Sequence, residues 1–280
     1  MLAIKKQNIM RTLLLTIVSF CALTLTAHAY KLQEVKVYSE SMKKDVPVMV
    51  VTPDSYEAGE AFPVVYLLHG YSDNHKGWTD RTDVEVEADL HNLIIVMPDG
   101  GYDSWYFDSP FVADYQYETF VSSELVNYID KNFKTKKDRA ARAITGLSMG
   151  GHGALHTAIK HQDVFGSAGS TSGGVDFRPF PTKWNIAKRI GSYEEYPENW
   201  EKRTVINMTH LLTPESLNII FDCGVDDFFY EVNCNFHEKL LKEGIPHDFI
   251  ARPGRHNWTY WNNSIKYQML FFSNCFSKAL

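Results

Sequence analysis

The stretch AITGLSMGGHGALHTAI, Ala143–Ile159, constrains the fold of this chain more than any other. It sets a serine between two glycines where a β-type run, RAIT, gives way to a helical one, GGHGALHTAI. A G-x-S-x-G pattern carries weight only in that context. The sharp strand-to-helix turn lifts the serine Oγ above a sheet, and side chains at the flanking glycines would collide across it. Ser148 is therefore a candidate nucleophile, the competing reading being an inert serine in a glycine-rich junction. The following helix adds unpaired amides and a positive dipole end, both suited to a developing oxyanion.

The surrounding pattern repeats strand and helix. FPVVYLLHG (Phe62–Gly70) and NLIIVMPDG (Asn92–Gly100) are short apolar runs ending in glycine, as in strands buried on both faces of a parallel sheet. A helix is predicted at Val84–His91 between them, and another at Glu118–Phe133 from the spacing of Phe120, Leu125, Ile129 and Phe133. Further strands are expected in GSAGSTSGG, LNIIFDCG (Leu217–Gly224) and HDFIARPG. Helices are expected in VNCNFHEKLLKEG (Val232–Gly244) and NNSIKYQMLFFSNCF. LQEVKVYSE and DVPVMVVTP alternate like an N-terminal antiparallel hairpin. The rhythm predicts one α/β domain over 30–280, with a mostly parallel central sheet flanked by helices. Residues 175–212 break it, with SYEEYPENW and no strand pattern, and read as an insertion over the C-terminal edge of the sheet, where open α/β folds bind ligands.

Residues 1–29 read as a cleavable export signal. Lys5, Lys6 and Arg11 precede an apolar stretch from Leu13 to Leu25 and the small-x-small site Ala27-His28-Ala29. The stretch is shorter than the about 20 apolar residues of a membrane span. Phe20 before Cys21 departs from a lipoprotein signal, so an exported, periplasmic or secreted product without a lipid anchor is expected. Removal takes three basic residues and no acidic one, leaving 25 Lys+Arg against 34 Asp+Glu and a net charge of −9. That balance speaks against nucleic acid or an anionic membrane as partner. Cys223, Cys234 and Cys275 remain, an odd count that permits one disulfide or none, and no C-x-x-C occurs.

A serine nucleophile needs a base, and the base an orienting acid, in the chain order Ser, Asp or Glu, His for this turn. FDCGVDDFFYE puts Asp226 and Asp227 just past a strand, and RPGRHNWTYW puts His256 in the loop after the next. Periodicity does not choose between the two aspartates. His152 and His156 lie four apart, but no glutamate completes H-E-x-x-H, which speaks against zinc. His69 reads as a loop-holding residue.

LLHGYSD, PDGGYDSWYFDSP, GLSMGGHGAL, CGVDDFFY and GRHNWTYW, in this order, resemble the putative-esterase family of α/β-hydrolases. That family includes esterase D (S-formylglutathione hydrolase), tributyrin esterases, and feruloyl and acetyl-xylan esterases, with the mycolyltransferases more distant. The resemblance covers nearly the whole chain after residue 29. It implies an α/β-hydrolase fold and a serine carboxylesterase, and assigns the acid to Asp227, with Asp226 second. It implies oxyanion donors at the amides of Met149 and Tyr71. It also implies a substrate-side loop at Ser104–Ser109, making Trp105 and Tyr106 candidates for the pocket wall; the competing reading is a buried aromatic anchor. Trp258 and Trp261, beside His256, stand the same way. No metal or organic cofactor is implied. The expected substrate is a small-molecule or oligosaccharide ester carrying a short acyl, acetyl or feruloyl group. Tributyrin-type, formylglutathione-thioesterase, acyl-transfer and non-catalytic carbohydrate-binding readings stand as alternatives. Of the sequons at Asn207, Asn257 and Asn262, the one at Asn257 is expected to be unmodified because it adjoins His256.

Overall fold

The computed structural model describes residues 30–58 and 61–278. The expected export signal therefore lies outside the described residues. Strands β1 (Lys31–Ser39) and β2 (Lys44–Thr52) form the antiparallel hairpin, in register from Lys31 opposite Thr52 to Ser39 opposite Lys44. Strand β3 (Val64–Leu68) leads through helices α1 (Gly77–Arg81) and α2 (Val84–His91) to β4 (Ile94–Pro98). Next come α3 (Tyr117–Thr119), a π-type turn at Phe120–Glu124 and α4 (Leu125–Asn132). Then follow β5 (Arg142–Gly146), α5 (Met149–Lys160) and β6 (Ser167–Thr171). Short helices α6 (Ile186–Ile190) and α7 (Pro197–Arg203) precede β7 (Asn218–Gly224), α8 (Tyr230–Lys242), β8 (Asp248–Arg252) and α9 (Trp258–Lys278).

The eight strands form one sheet in the order β1-β2-β4-β3-β5-β6-β7-β8. Strands β4, β3 and β5 to β8 pair in parallel, and β2 joins β4 antiparallel with Val50 opposite Val96. Alternation splits the strand side chains between two cores. Val64, Tyr66 and Leu68 join Phe165, Phe120 and Leu155 on one face. Val65 and Leu67 join Trp78, Met269 and Phe272 on the other. Both faces of β3 are thus covered, which is why its sequence reads as a continuous apolar run.

Two elements differ from the sequence expectation. The helix predicted at Glu118–Phe133 is interrupted by the π-type turn. There Ser122 Oγ donates to the Glu118 carbonyl (2.8 Å), a local side-chain bond that competes with the helical ladder. Glu124 faces away to accept from Ser39 Oγ (2.5 Å) and the Ser41 amide (2.7 Å), tying this helix to the hairpin. The C-terminal helix starts at Trp258, earlier than its apolar periodicity indicates, because the Asn257 side-chain oxygen accepts from the Tyr260 amide (3.1 Å).

Segment 175–212 is built from α6, α7 and 3-10 turns around the buried Trp200. It is fastened by Arg189, which donates to Asp103 through Nε (3.0 Å) and Nη2 (2.7 Å). Trp105 Nε1 also donates to the Trp184 carbonyl (3.3 Å).

Helix α5 lies behind the turn at Ser148 and is buried over nearly its whole length. Burial pushes the His156 imidazole down to about 3 from its ordinary 6.5. Burial works against the charge of the neighbouring Glu118, but bonds from His161 and Lys160 hold its carboxyl down at about 2. Both folded values lie below the unfolded ones, so the unfolded chain takes up more protons as pH falls and stability declines with it. The His156 contribution is lost between about pH 6.5 and 3, and that of Glu118 between about pH 4.5 and 2. Urea unfolding followed from pH 8 to pH 4 is expected to show this decline, and His156→Leu to flatten it between pH 6.5 and 4.5.

Candidate functional site

Ser148 caps the N-terminus of α5 with φ 54° and ψ −113°, a left-side conformation costly for a residue with a Cβ. The turn that holds it has no room to relax. A Cβ on Gly146 would lie 2.6 Å from the Leu68 carbonyl oxygen, and one on Gly150 would lie 2.5 Å from the same atom. The Leu147 amide donates to that oxygen (3.2 Å) and the Ser148 amide to the Thr171 carbonyl (3.0 Å), so β3 and β6 both grip the turn.

Three side chains from separate strand ends meet here. His256 Nε2 lies 2.9 Å from Ser148 Oγ, and His256 Nδ1 lies 2.8 Å from Asp227 Oδ2. A carboxylate only accepts, so Nδ1 carries the proton and the Nε2 lone pair faces the hydroxyl. The Asp227 side chain is fully buried, and its Oδ1 accepts from the Phe229 amide (2.9 Å). Asp226 does not join them: it is exposed, and its amide donates to the Gly254 carbonyl (3.0 Å). The difference comes from the tight turn after β7, in which the Asp227 amide donates to the Gly224 carbonyl (3.0 Å).

The loop after β3 approaches the turn closely. A Cβ on Gly70 would sit 2.5 Å from Leu147 Cδ1 and 3.6 Å from Ser148 Cβ. Among the described residues, neither the Tyr71 nor the Met149 amide donates to a backbone carbonyl. His69 holds this loop: Nδ1–H donates to the Gly70 carbonyl (2.8 Å) and Nε2 accepts from the Gly100 amide (2.7 Å). Burial pushes its pKa down, in keeping with the neutral tautomer those two bonds require. His152, on α5, is likewise held neutral by burial, and its Nδ1–H donates to the Gly174 carbonyl (3.2 Å). The Gly174 amide in turn donates to the Ser148 carbonyl (3.3 Å).

A cavity of about 360 Å³ opens over Ser148 and His256, lined also by Tyr71, Arg81, Trp184, Phe228 and Trp258. Trp258 and Trp261 therefore line the site. Trp105 and Tyr106 do not, which corrects the expectation that they form its wall. They are 1% and 0% exposed. Tyr106 OH donates to the His69 carbonyl (3.2 Å), and Trp105 packs edge-on against His152 and Phe177. They are the anchor of the loop, not its face to substrate.

Sequence reasoning missed Trp184, Phe228 and Arg81. Trp184 sits in segment 175–212, where no periodicity guides a reading, and it and Asn185 both hold positive φ (51° and 56°). Phe228 is 50% exposed and lies over the His256 ring at 4.3 Å. Its signal was in the sequence: a second apolar residue in DDFF, where the turn has room to bury only one.

A family profile described as "Putative esterase" matches residues 39–272. Esterase Rv1288 of Mycobacterium tuberculosis is 40% identical over 242 residues, covering 75% of this chain and 52% of that protein. The chain thus spans about half the length of that relative. The diacylglycerol acyltransferase/mycolyltransferase Ag85A of Mycobacterium bovis is 33% identical over 281 residues, covering 85% of this chain and 81% of that one. A solved ferulic acid esterase superposes with a TM-score of 0.77 at 28% identity, over 89% of this chain and 99% of that one. With its eight-stranded sheet, N-terminal hairpin and flanking helices, the chain belongs to the putative-esterase family of α/β-hydrolases.

Proposed function

We propose that this protein is an exported serine carboxylesterase that cleaves short acyl, acetyl or feruloyl esters, carbohydrate-linked ones among them, through an acyl-enzyme on Ser148. The observation that carries this reading is the continuous chain of contacts from Asp227 through His256 to Ser148 at 2.8 and 2.9 Å. In the proposed cycle His256 Nε2 takes the Ser148 proton as Oγ bonds to the ester carbon. The Tyr71 and Met149 amides receive the negative oxygen. The ester C–O bond then breaks, and His256 returns the proton to the leaving alcohol. Water clears the acyl group by the same steps in reverse order of partners. Asp227 keeps the imidazole in its Nδ1–H tautomer and stabilises the imidazolium. These groups suffice for ester cleavage without a cofactor.

The likeness to a ferulic acid esterase supports an ester of a planar or short acyl group. The likeness to Ag85A favours a second reading, in which a sugar hydroxyl replaces water as acceptor. Export is supported by the basic, apolar and small-residue pattern of residues 1–29; no helix among the described residues is long and apolar enough to cross a membrane.

Ser148→Ala is expected to lower turnover of p-nitrophenyl acetate by at least about 10³-fold and to abolish labelling by a fluorophosphonate, with an unchanged circular dichroism spectrum. Persistent activity in that variant would sink the scheme. Product analysis with and without an acceptor sugar separates hydrolysis from transfer. Asp227→Asn is expected to cut kcat by about 10²–10⁴-fold through the wrong imidazole tautomer, whereas Asp226→Asn stays within about threefold of the parent; equal losses would remove Asp227 from its role. Edman sequencing of the exported product is expected to begin at Tyr30, and retention of the leader would contradict cleavage after Ala29.

A further inference from the structure

Two aromatic arms leave the His256 ring, and they end in different chemistry. One passes to Phe228 at 4.3 Å and on to Trp184, stacked on Phe228 at 5.7 Å and 22°. The other passes to Trp261 at 4.9 Å and on to Trp258 at 5.2 Å. It ends on the Arg81 guanidinium, 5.0 Å from the Trp258 ring centre. All five residues line the cavity above Ser148, and so does Asp73. The Phe228–Trp184 arm offers hydrocarbon rings. The other offers an indole beside an ion pair, because Arg81 Nη1 donates to Asp73 Oδ2 at 2.9 Å.

That ion pair determines what the second arm can hold. Arg81 is half-exposed and has five N–H donors, only one of which serves Asp73. Asp73 accepts from the Asn74 amide through Oδ1 (3.0 Å) and keeps acceptor capacity on both oxygens. An anionic ligand drawn to Arg81 would meet the Asp73 carboxylate alongside it, so the two charges largely offset. A neutral hydroxyl fits both, since it accepts from the guanidinium and donates to the carboxylate. The adjoining indole suits the C–H face of such a molecule. An ester parts at its carbonyl: the acyl half stays on the serine and the alcohol half departs. A hydrocarbon wall matches the acyl half; a donor–acceptor pair matches a hydroxyl-rich alcohol half.

We propose that Arg81, Asp73 and Trp258 form a subsite for the alcohol half of the ester, and that this alcohol is an uncharged, polyhydroxylated one such as a neutral sugar. The Phe228–Trp184 arm takes the acyl half. This rests on the Ser148 acyl-transfer reading and adds no covalent step to it.

The test compares two esters with the same acyl group, an O-acetylated methyl xyloside and p-nitrophenyl acetate. Deacylation is common to both, so the ratio of their kcat/KM values reports the alcohol half alone. Arg81→Met is expected to lower that ratio, sugar ester over nitrophenyl ester, by about tenfold. Arg81 is half-exposed, and thermal unfolding of the variant verifies that it folds. A ratio that stays within about twofold of the parent's overturns the subsite. So does a parent enzyme that cleaves p-nitrophenyl acetate but not the acetylated xyloside, and that outcome leaves the Ser148 reading standing. If neither ester is cleaved and the fluorophosphonate leaves Ser148 unlabelled, the reading beneath the subsite fails as well.

Discussion

The carbonyl oxygen of Leu68, at the end of β3, is the fixed point of this molecule. It accepts from the Leu147 amide, and it stands so close to the serine turn that neither Gly146 nor Gly150 has space for a Cβ. The parallel pairing of Leu68 with Gly146 puts it there. The same strand then runs directly into His69-Gly70-Tyr71, so one backbone segment supports the turn and carries a free amide to its rim. The distance between that amide and Ser148 is thereby set by sheet geometry, which is stiffer than any loop.

Histidines whose charge burial suppresses surround this fixed point. His69 and His152 each spend a ring N–H on a backbone carbonyl, and burial keeps both neutral. An imidazolium at His69 would turn Nε2 into a donor against the Gly100 amide and open the loop. The loop's order thus depends on a proton being absent. His256 differs in kind, because its Nδ1 faces a buried carboxylate with which an imidazolium can pair.

Most of the sheet was legible because both faces of β3, β4 and β5 are covered, so burial shows as unbroken apolar runs in the chain. The serine and the histidine were legible through chain order, since strand ends in a parallel sheet all point the same way. What stayed illegible depended on distant partners. The π-type turn at Phe120–Glu124 reflects bonds from Glu124 to Ser39 and Ser41, more than eighty residues earlier. Segment 175–212 takes its path from the Arg189–Asp103 pair and the buried Trp200, not from any period of its own. Asp226 and Asp227 could not be separated by spacing, because the choice is made by one hydrogen bond in the turn after β7. Trp105 and Tyr106 sit in a motif that suggests a pocket wall, yet their positive φ values (53° and 57°) turn both rings inward under the loop.

Cys223, Cys234 and Cys275 are all free thiols, and burial raises the pKa of Cys223 and Cys275. No sulfur–sulfur link among the described residues contributes to the stability of the sheet. The folded state is therefore indifferent to glutathione: the molecule can reach the same shape in a reducing cytosol as in an oxidising exterior. Which side of a membrane it works on is left to the address at its N-terminus, not to the redox poise needed to hold it together.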